Sequence, residues 1–583
     1  MGASVQGAGM NNSEVAQVFE DIADLLELKG DKGFKVIAYR RGAESIRSQG
    51  RDIKAIWEES ALEDIPAVGK AIAEKTDELL RTGKLEYYEN LKSEIPIGLL
   101  EVLKVGDVGP KKAARFWKEL SITSVNELEA AAMKGALREL SGMGAKSEAR
   151  ILDNIQALKR RQTGRMSIGA ALPIAEHLLA ELRKHPKVKA AETAGSLRRM
   201  RETVGDLDLL VSTDHPDEVM QAFVELPIVG RVLGRGDVKT SVELIDGVRV
   251  QVWTHASERF GTALQYATGS KDHNVRLREL ALSKGFSLSD QAFKLEQGGE
   301  ITVAKESEVY EMLGLPWIAP EMREDRGEIQ AAQNGELPKL IEIRNLKGEL
   351  HAHSTWSDGK NSIEEMVQAA VEQGHKYLAI TDHSQSLGIA NGLTEKRVEQ
   401  QREEIAKVRK TLNNDFVLLH GTEMEILADG SLDFPDDLLA QFDLVIASLH
   451  TSLRQPREQV TARMINAIKN PHVDIIAHPS GRLIGKREPA DLDMDQILEA
   501  ALEHGVVLEI NSNPERLDLN DIYARRAAEM GIPLAINTDA HRPEHLAFRN
   551  FGVGVARRAW ITSRQVVNCW TAPRIQKWLK ARG

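Results

Sequence analysis

The 583-residue chain is predicted to be a multidomain protein, helical at its N-terminal end, α+β in the middle and a barrel-type α/β fold after residue 345. Three observations predict this. Near the N-terminus, three Gly-rich turns each open an amphipathic helical stretch. In the middle, Asp206 and Asp208 alternate along a strand-like run, so both carboxylates leave one face. In the last part, short apolar runs end in His, Asp or Glu and are separated by stretches with helical periodicity.

The first turns centre on Gly69, on Gly106 and Gly109, and on Gly142 and Gly144, with Lys70, Lys111 and Lys146 close behind. Glycines let the backbone approach a phosphate, and helix N-terminal amides with a lysine hold it without reading bases. These segments resemble helix-hairpin-helix motifs, which grip the DNA backbone independently of sequence. Phe34 to Arg41, taken with Ile65 to Lys75, resembles the small N-terminal domain of family X DNA polymerases, which binds the 5′ phosphate of a gap. That resemblance implies phosphate-binding roles for Lys35 and Tyr39. It also puts Lys75 at the Schiff-base position of relatives with deoxyribose-phosphate lyase activity. A second lysine expected one turn earlier is Ala71 here, with Lys70 adjacent.

Farther on, Gly195 and Ser196 precede Arg198, Arg199 and the Asp206-Leu207-Asp208 run. Two carboxylates on one face can hold a divalent ion carrying a nucleoside triphosphate. The Gly-Ser backbone and hydroxyl can meet phosphate, and an arginine can neutralise developing charge. The arrangement resembles the nucleotidyltransferase palm of family X DNA polymerases. The segment Tyr266-Ala267-Thr268-Gly269-Ser270, followed by Asn274, resembles that family's Tyr-Phe-Thr-Gly-Ser segment, with Ala267 in place of Phe. The resemblance implies a dNTP substrate with Mg2+ or Mn2+ in the palm, bound by Asp206 and Asp208 and lined by Gly195, Ser196, Arg199, Tyr266, Gly269, Ser270 and Asn274. The family's third palm carboxylate falls on Gln251. Glutamine neither binds a catalytic metal well nor accepts the primer's proton. A loss of about 10³–10⁴ in rate would be roughly 4–6 kcal/mol of barrier. Glu243 and Asp246 are the nearby acidic substitutes.

The final runs end at His351 and His353, Asp382-His383, Glu423, His450, His478, and Asp539 with His541; Asp358 follows the first. Imidazole and carboxylate without thiolate suit zinc, manganese or iron and disfavour a sulfur-bound structural zinc. Nine ligands exceed one ion's need, so two or three Mn2+ or Zn2+ ions are expected; closely spaced metals suit phosphoester hydrolysis. The set His351, His353, Asp358, His383, Glu423, His450, His478, Asp539 and His541 resembles the PHP (polymerase and histidinol phosphatase) family. That implies a distorted (β/α)7 PHP barrel with phosphoesterase chemistry, its seventh strand being Val506 to Ile510. Together the resemblances match the layout of bacterial family X polymerases.

One cysteine excludes an internal disulfide and fits a reducing compartment, and no apolar stretch reaches membrane-spanning length. The expectation is a cytoplasmic, nucleoid-associated monomer. A net charge of −11 argues only weakly against DNA, because local basic surfaces and metal-bound carboxylates hide inside it. Expected boundaries are a disordered 1–12, a gap-binding domain 13–90 with the first hairpin, the helix-hairpin-helix fingers region 91–165, palm 166–255, thumb 256–320, a polar linker 321–345 and the barrel 346–583. The expected partner is gapped or nicked duplex DNA with its 3′ ends and 5′ phosphate. The resemblances imply a DNA repair enzyme whose PHP domain is a metal-dependent 3′–5′ exonuclease or 3′-end processing phosphoesterase; the competing reading is a DNA-binding scaffold carrying a small-molecule phosphatase of histidinol-phosphatase type.

Overall fold

The computed structural model describes residues 10–582 apart from 32, 48, 50, 106, 107, 141 and 161–164. Two compact units result, Met1–Gly164 and Arg165–Gly583. Gly106 lies outside the described residues, as does most of the stretch expected to be disordered. Its end is helical, which corrects that expectation. Asn11 caps the helix Asn12–Lys29 in a capping box with Glu14, satisfying amides that would otherwise be orphaned.

Among its described residues the first unit has helices and turns and no strand. Phe19, Leu25, Tyr39, Ile72, Phe116, Leu128 and Ile151 belong to one continuous core, which the expected border at 90/91 does not interrupt. Gly69 and Gly109 are the N-caps of the helices Lys70–Thr82 and Pro110–Leu120. Gly142 adopts φ +73°, and Gly144 stands just before the helix Ala145–Arg160. A Cβ at any of these four glycines would meet nothing within 4 Å, so each turn backbone faces open space.

In the second unit, β1 (Ala190–Thr193), β2 (Leu207–Ser212), β3 (Val229–Arg235), β4 (Lys239–Leu244) and β5 (Arg249–His255) form a sheet in the order 1-2-5-4-3. Only β2 and β5 pair in parallel. The thumb follows with helices Phe260–Thr268, Lys271–Ser283 and Glu306–Met312 and a small three-stranded sheet. The expected linker 321–345 is instead structured. It carries the helix Glu328–Asn334, and Arg323 and Glu328 are fully buried. Two of its charged residues are paired inside the protein rather than solvated: Arg323 to Glu306, and Glu328 to His273.

The barrel strands are β6 (Gly348–Ala352), β7 (Tyr377–Ile380), β8 (Val417–Glu425), β9 (Leu444–Ser448), β10 (Ile475–Ile476), β11 (Val507–Asn511) and β12 (Leu534–Asn537). They pair in parallel in chain order. An Ala352–Ala540 bridge joins the first strand to the last, giving a nearly closed barrel, and the register shifts between Glu349 and Ala352. Burial on both faces explains the apolar runs of β7 and β9. Palm and barrel share one core, which includes Leu178, Val211, Leu449 and Ile497. A Cβ on Gly169 would stand 2.4 Å from Pro514, and one on Gly554 2.6 Å from Met200, so glycine permits the close approach. Among the described residues no helix is long and apolar enough to cross a membrane.

Candidate active sites in the barrel and the palm

The ligand side chains cluster at the C-terminal ends of the barrel strands, where such folds place their chemistry. Three groups of donor atoms each lie within 4.8 Å of one another: His353, Asp358, His383 and His541; His351, His353 and Asp539; His383, Glu423 and His450. Glu423 is the hub. Its Oε2 is 3.3 Å from His351, 3.4 Å from His353 and 3.0 Å from His383, while its Oε1 is 3.4 Å from His450. His478 completes none of the three groups. Its Nε2 instead hydrogen-bonds to Glu423 Oε1 at 2.9 Å. Asp539 holds φ +54° and His478 φ +27°, conformations that typically cost about 1–3 kcal/mol in non-glycine residues and persist where the surroundings enforce them.

The residues present fit a metal. His351 Nε2, both His353 nitrogens, His383 Nδ1 and Glu423 Oε2 are buried without a hydrogen-bond partner. Leaving such groups unsatisfied is costly, so a ligand for their lone pairs accounts for them. Burial alone would raise the Glu423 and Asp539 carboxyls, yet the surrounding imidazoles hold both well below the usual range. Burial pushes His383 down to about 3, leaving it neutral and able to donate a lone pair.

Sequence reading missed the supporting shell. Glu509 accepts from His351 Nδ1 at 2.8 Å and from the His478 amide at 2.7 Å. Glu425 accepts from His450 Nδ1 at 2.9 Å. In both pairs the carboxylate fixes the tautomer and turns Nε2 toward the site. The signals were a carboxylate inside the apolar run of β11 and a Glu two residues beyond Glu423, on the same strand face. Arg516 was also missed, and its loop carries no pattern that would reveal it. Its Nε is 3.5 Å from Asp539 Oδ2, and its Nη1 is buried without a partner. Arg482 holds the backbone of that loop by donating to the carbonyls of Arg516 and Leu517 and, at 2.7 Å, to Glu202 of the palm.

In the palm, Asp208 sits on β2, whereas Asp206 occupies the bend just before it. Burial, then the charge of Asp206, raises the Asp208 pKa to about 7. Gly195 adopts φ +58°, and a Cβ there would crowd the Asp208 carboxylate, so both the backbone and the site favour glycine. Gln251 pairs with Asp208 in the β2–β5 register, and its amide donates to Asp206. Glu243 is held by Arg231, and Asp246 accepts from the Val248 amide in its turn. Arg199 is not free: it pairs with Glu324 at 3.1 Å and donates to the Thr268 carbonyl. Asn274 is tied to Gln265 and to the Tyr266 carbonyl, while the Tyr266 side chain is partly exposed. Ser196 follows Gly195 in the one-turn helix Gly195–Arg198, and Ser270 caps the helix Lys271–Ser283 after Gly269 at φ +70°.

In the helical unit, Lys35 and Lys75 each place Nζ 5.1 Å from the Tyr87 ring centre, so one aromatic ring gathers both amines. Tyr39 is only 5% exposed and stacks between Phe19 and Tyr87. Its ring therefore serves the core.

Family models match four segments: a helix-hairpin-helix domain at 10–85, a SAM-like helix-hairpin-helix tandem at 99–157, the DNA polymerase beta thumb at 263–324 and the PHP domain at 349–513. The chain is 41% identical over 576 residues to the DNA polymerase/3′-5′ exonuclease PolX of Bacillus subtilis (strain 168), covering 98% of this chain and 100% of that protein. A probable phosphatase of Thermoanaerobacter sp. (strain X514) is 31% identical over 243 residues, 40% of this chain and 90% of the relative. DNA polymerase lambda of Rattus norvegicus is 25% identical over 355 residues, 55% of this chain and 58% of the relative.

Proposed function

Because the chain belongs to the bacterial family X DNA polymerases that carry a C-terminal PHP domain, we propose that it trims DNA 3′ ends in the barrel and binds gaps with the remainder. The observation that carries the reading is the set of buried, unpartnered imidazole and carboxylate atoms around Glu423. The three overlapping donor groups suit two or three ions, with manganese or zinc fitting the nitrogen and oxygen donors. Ions held there would supply Lewis acidity and lower the pKa of water. The chain's own residues do the rest. Glu509 and Glu425 orient His351 and His450, and the free Nη1 of Arg516 donates to a nonbridging phosphate oxygen, neutralising charge that grows in the transition state.

The palm, in this reading, binds a dNTP with Mg2+ or Mn2+ through Asp206 and Asp208 but extends primers poorly, because Gln251 supplies no third carboxylate. Lys35 and Lys75 hold the 5′ phosphate of a gap, and Lys75 is the candidate lyase nucleophile. The open Gly69, Gly109, Gly142 and Gly144 turns serve the DNA backbone.

The test is a gapped, 3′-labelled duplex incubated with manganese, with and without nucleotides. Shortening that disappears in His353→Ala and Asp539→Ala, with gap binding retained, is the expected result. Undiminished shortening in both variants would remove the barrel assignment. Inertness toward DNA with turnover of a small phosphomonoester would move the reading to the phosphatase class.

A further inference from the structure

The barrel has a second feature, at the end opposite its metal ligands. Asn345 and Lys347 immediately precede β6, so they mark the N-terminal ends of the strands, whereas the ligands mark the C-terminal ends. There a cavity of about 500 Å³ is lined by Asn345, Lys347, Ser563, Arg564, Cys569, Trp570 and Arg574. Among the described residues three cations line it and no carboxylate does. Lys347 donates to the Arg344 carbonyl, and the Arg574 guanidinium lies 4.0 Å from the Trp570 ring centre.

The Trp570 ring holds the Arg574 guanidinium on the cavity wall, leaving the N–H groups of that planar cation available to an anion. The helix Ala572–Arg582 begins directly after this segment and carries Arg574 in its first turn. Ammonium, guanidinium, hydroxyl and amide groups thus line one cavity together with the Trp570 ring. That chemistry selects a small anion with several acceptor oxygens, and the volume falls in the range that holds a nucleotide-sized molecule.

We propose that this cavity is a phosphate-binding site on the far side of the barrel from the nuclease centre, held by Lys347, Arg564 and Arg574 and sized for a mononucleotide. Its phosphate comes from a free nucleotide, such as the product of 3′-end trimming, or from a strand passing across that face. Arg564 and Arg574 are exposed, so replacing them leaves the core and the metal ligands untouched.

Cys569 lines the cavity and is the chain's one cysteine, so its thiol reports on this place alone. The full-length protein is labelled with methyl methanethiosulfonate in the presence of inorganic phosphate, dAMP or a nuclease-resistant phosphorothioate oligonucleotide, with chloride at matched ionic strength as the control. A phosphate ligand at about twice its Kd should slow labelling about threefold, and Arg564→Ala/Arg574→Ala should abolish the protection. Protection by dAMP or phosphate assigns the free anion, and protection by the oligonucleotide alone assigns the strand. Thermal shifts of both proteins with each ligand provide a second readout, because a true site stabilises the wild type more than the double variant. Equal labelling rates with and without all three ligands, together with equal thermal shifts in the two proteins, would overturn the proposal. So would protection that survives the double substitution.

Discussion

Gln251 donates its side-chain amide to Asp206 from the position that faces Asp208 across the parallel β2–β5 pairing. The amide therefore neutralises part of an acidic pair by hydrogen bonding, where a carboxylate would have added negative charge for a second ion. Burial and Asp206 already raise the Asp208 pKa to about 7. Gln251→Asp should increase primer extension by about tenfold or more, a gain of roughly 1.4 kcal/mol in transition-state stabilisation. Barrel nuclease activity should not change. Wild-type extension that is strong and indifferent to this substitution would show that another group has taken the role.

Palm and barrel are held together by buried charge. Arg558 of the barrel donates to Glu324 Oε1 at 2.8 Å, to Asp521 Oδ2 at 2.9 Å and to the Arg199 carbonyl at 2.8 Å, and its side chain is 5% exposed. Arg558→Gln strips one cation from two buried carboxylates. Breaking such a pair typically costs roughly 3–5 kcal/mol. Urea unfolding should show a lower midpoint for this variant and partial recovery in Arg558→Lys. An unchanged midpoint would mean that Arg199, Arg201 and Arg326 suffice.

The parts of this architecture visible in the sequence are those where chemistry and periodicity coincide. A buried parallel strand is an uninterrupted apolar run, so His353, Glu423 or Asp539 at its end stands out against it. Glu509 serves the same site from inside its run, where the lone carboxylate is visible but the histidine it holds is not. The segment 321–345 was misread for a related reason. Arg323, Glu324 and Glu328 look solvated by composition, yet each is buried against a partner outside the segment, Glu306, Arg558 and His273 respectively. Pairing over such separations leaves no local trace. Tyr39 is a further case: its place beside the lysines is readable, but its burial between two aromatic rings is not.

Two histidines outside the metal cluster give the barrel a defined acid sensitivity. Burial, reinforced by Arg549, lowers His375 to about 4, and burial with Arg402 lowers His420 to about 3. Unfolded histidine titrates near 6.5. As pH falls below that value the unfolded chain takes up protons that the folded one refuses, so stability drops, by up to about 1.4 kcal/mol per pH unit per histidine. The window runs from about 6.5 down to about 4 for His375 and about 3 for His420. His375→Gln/His420→Gln should therefore flatten the decline of the denaturant midpoint between pH 6.5 and 4, whatever it does to the midpoint at neutral pH. An identical slope in the two proteins would contradict the buried, neutral state of both rings.

The last prediction concerns the gap's 5′ side. Lys35 and Lys75 share the Tyr87 ring at 5.1 Å each, so two ammonium groups face one locality with no carboxylate paired to either among the described residues. A 5′ phosphate carries more charge than the backbone diesters beside it and should be preferred there. Gapped duplex bearing that phosphate should bind more tightly than the same duplex bearing a hydroxyl. Lys35→Ala and Lys75→Ala should each reduce the preference about three- to tenfold, or roughly 0.7–1.4 kcal/mol. Both side chains are on the surface, so the helical core should survive, which circular dichroism can verify. Each substitution should also lower the slope of log affinity against log salt by about one, because one phosphate contact and its released counterion are lost. A preference that is equal in wild type and both variants, with unchanged salt slopes, would place the 5′ phosphate elsewhere on the helical unit.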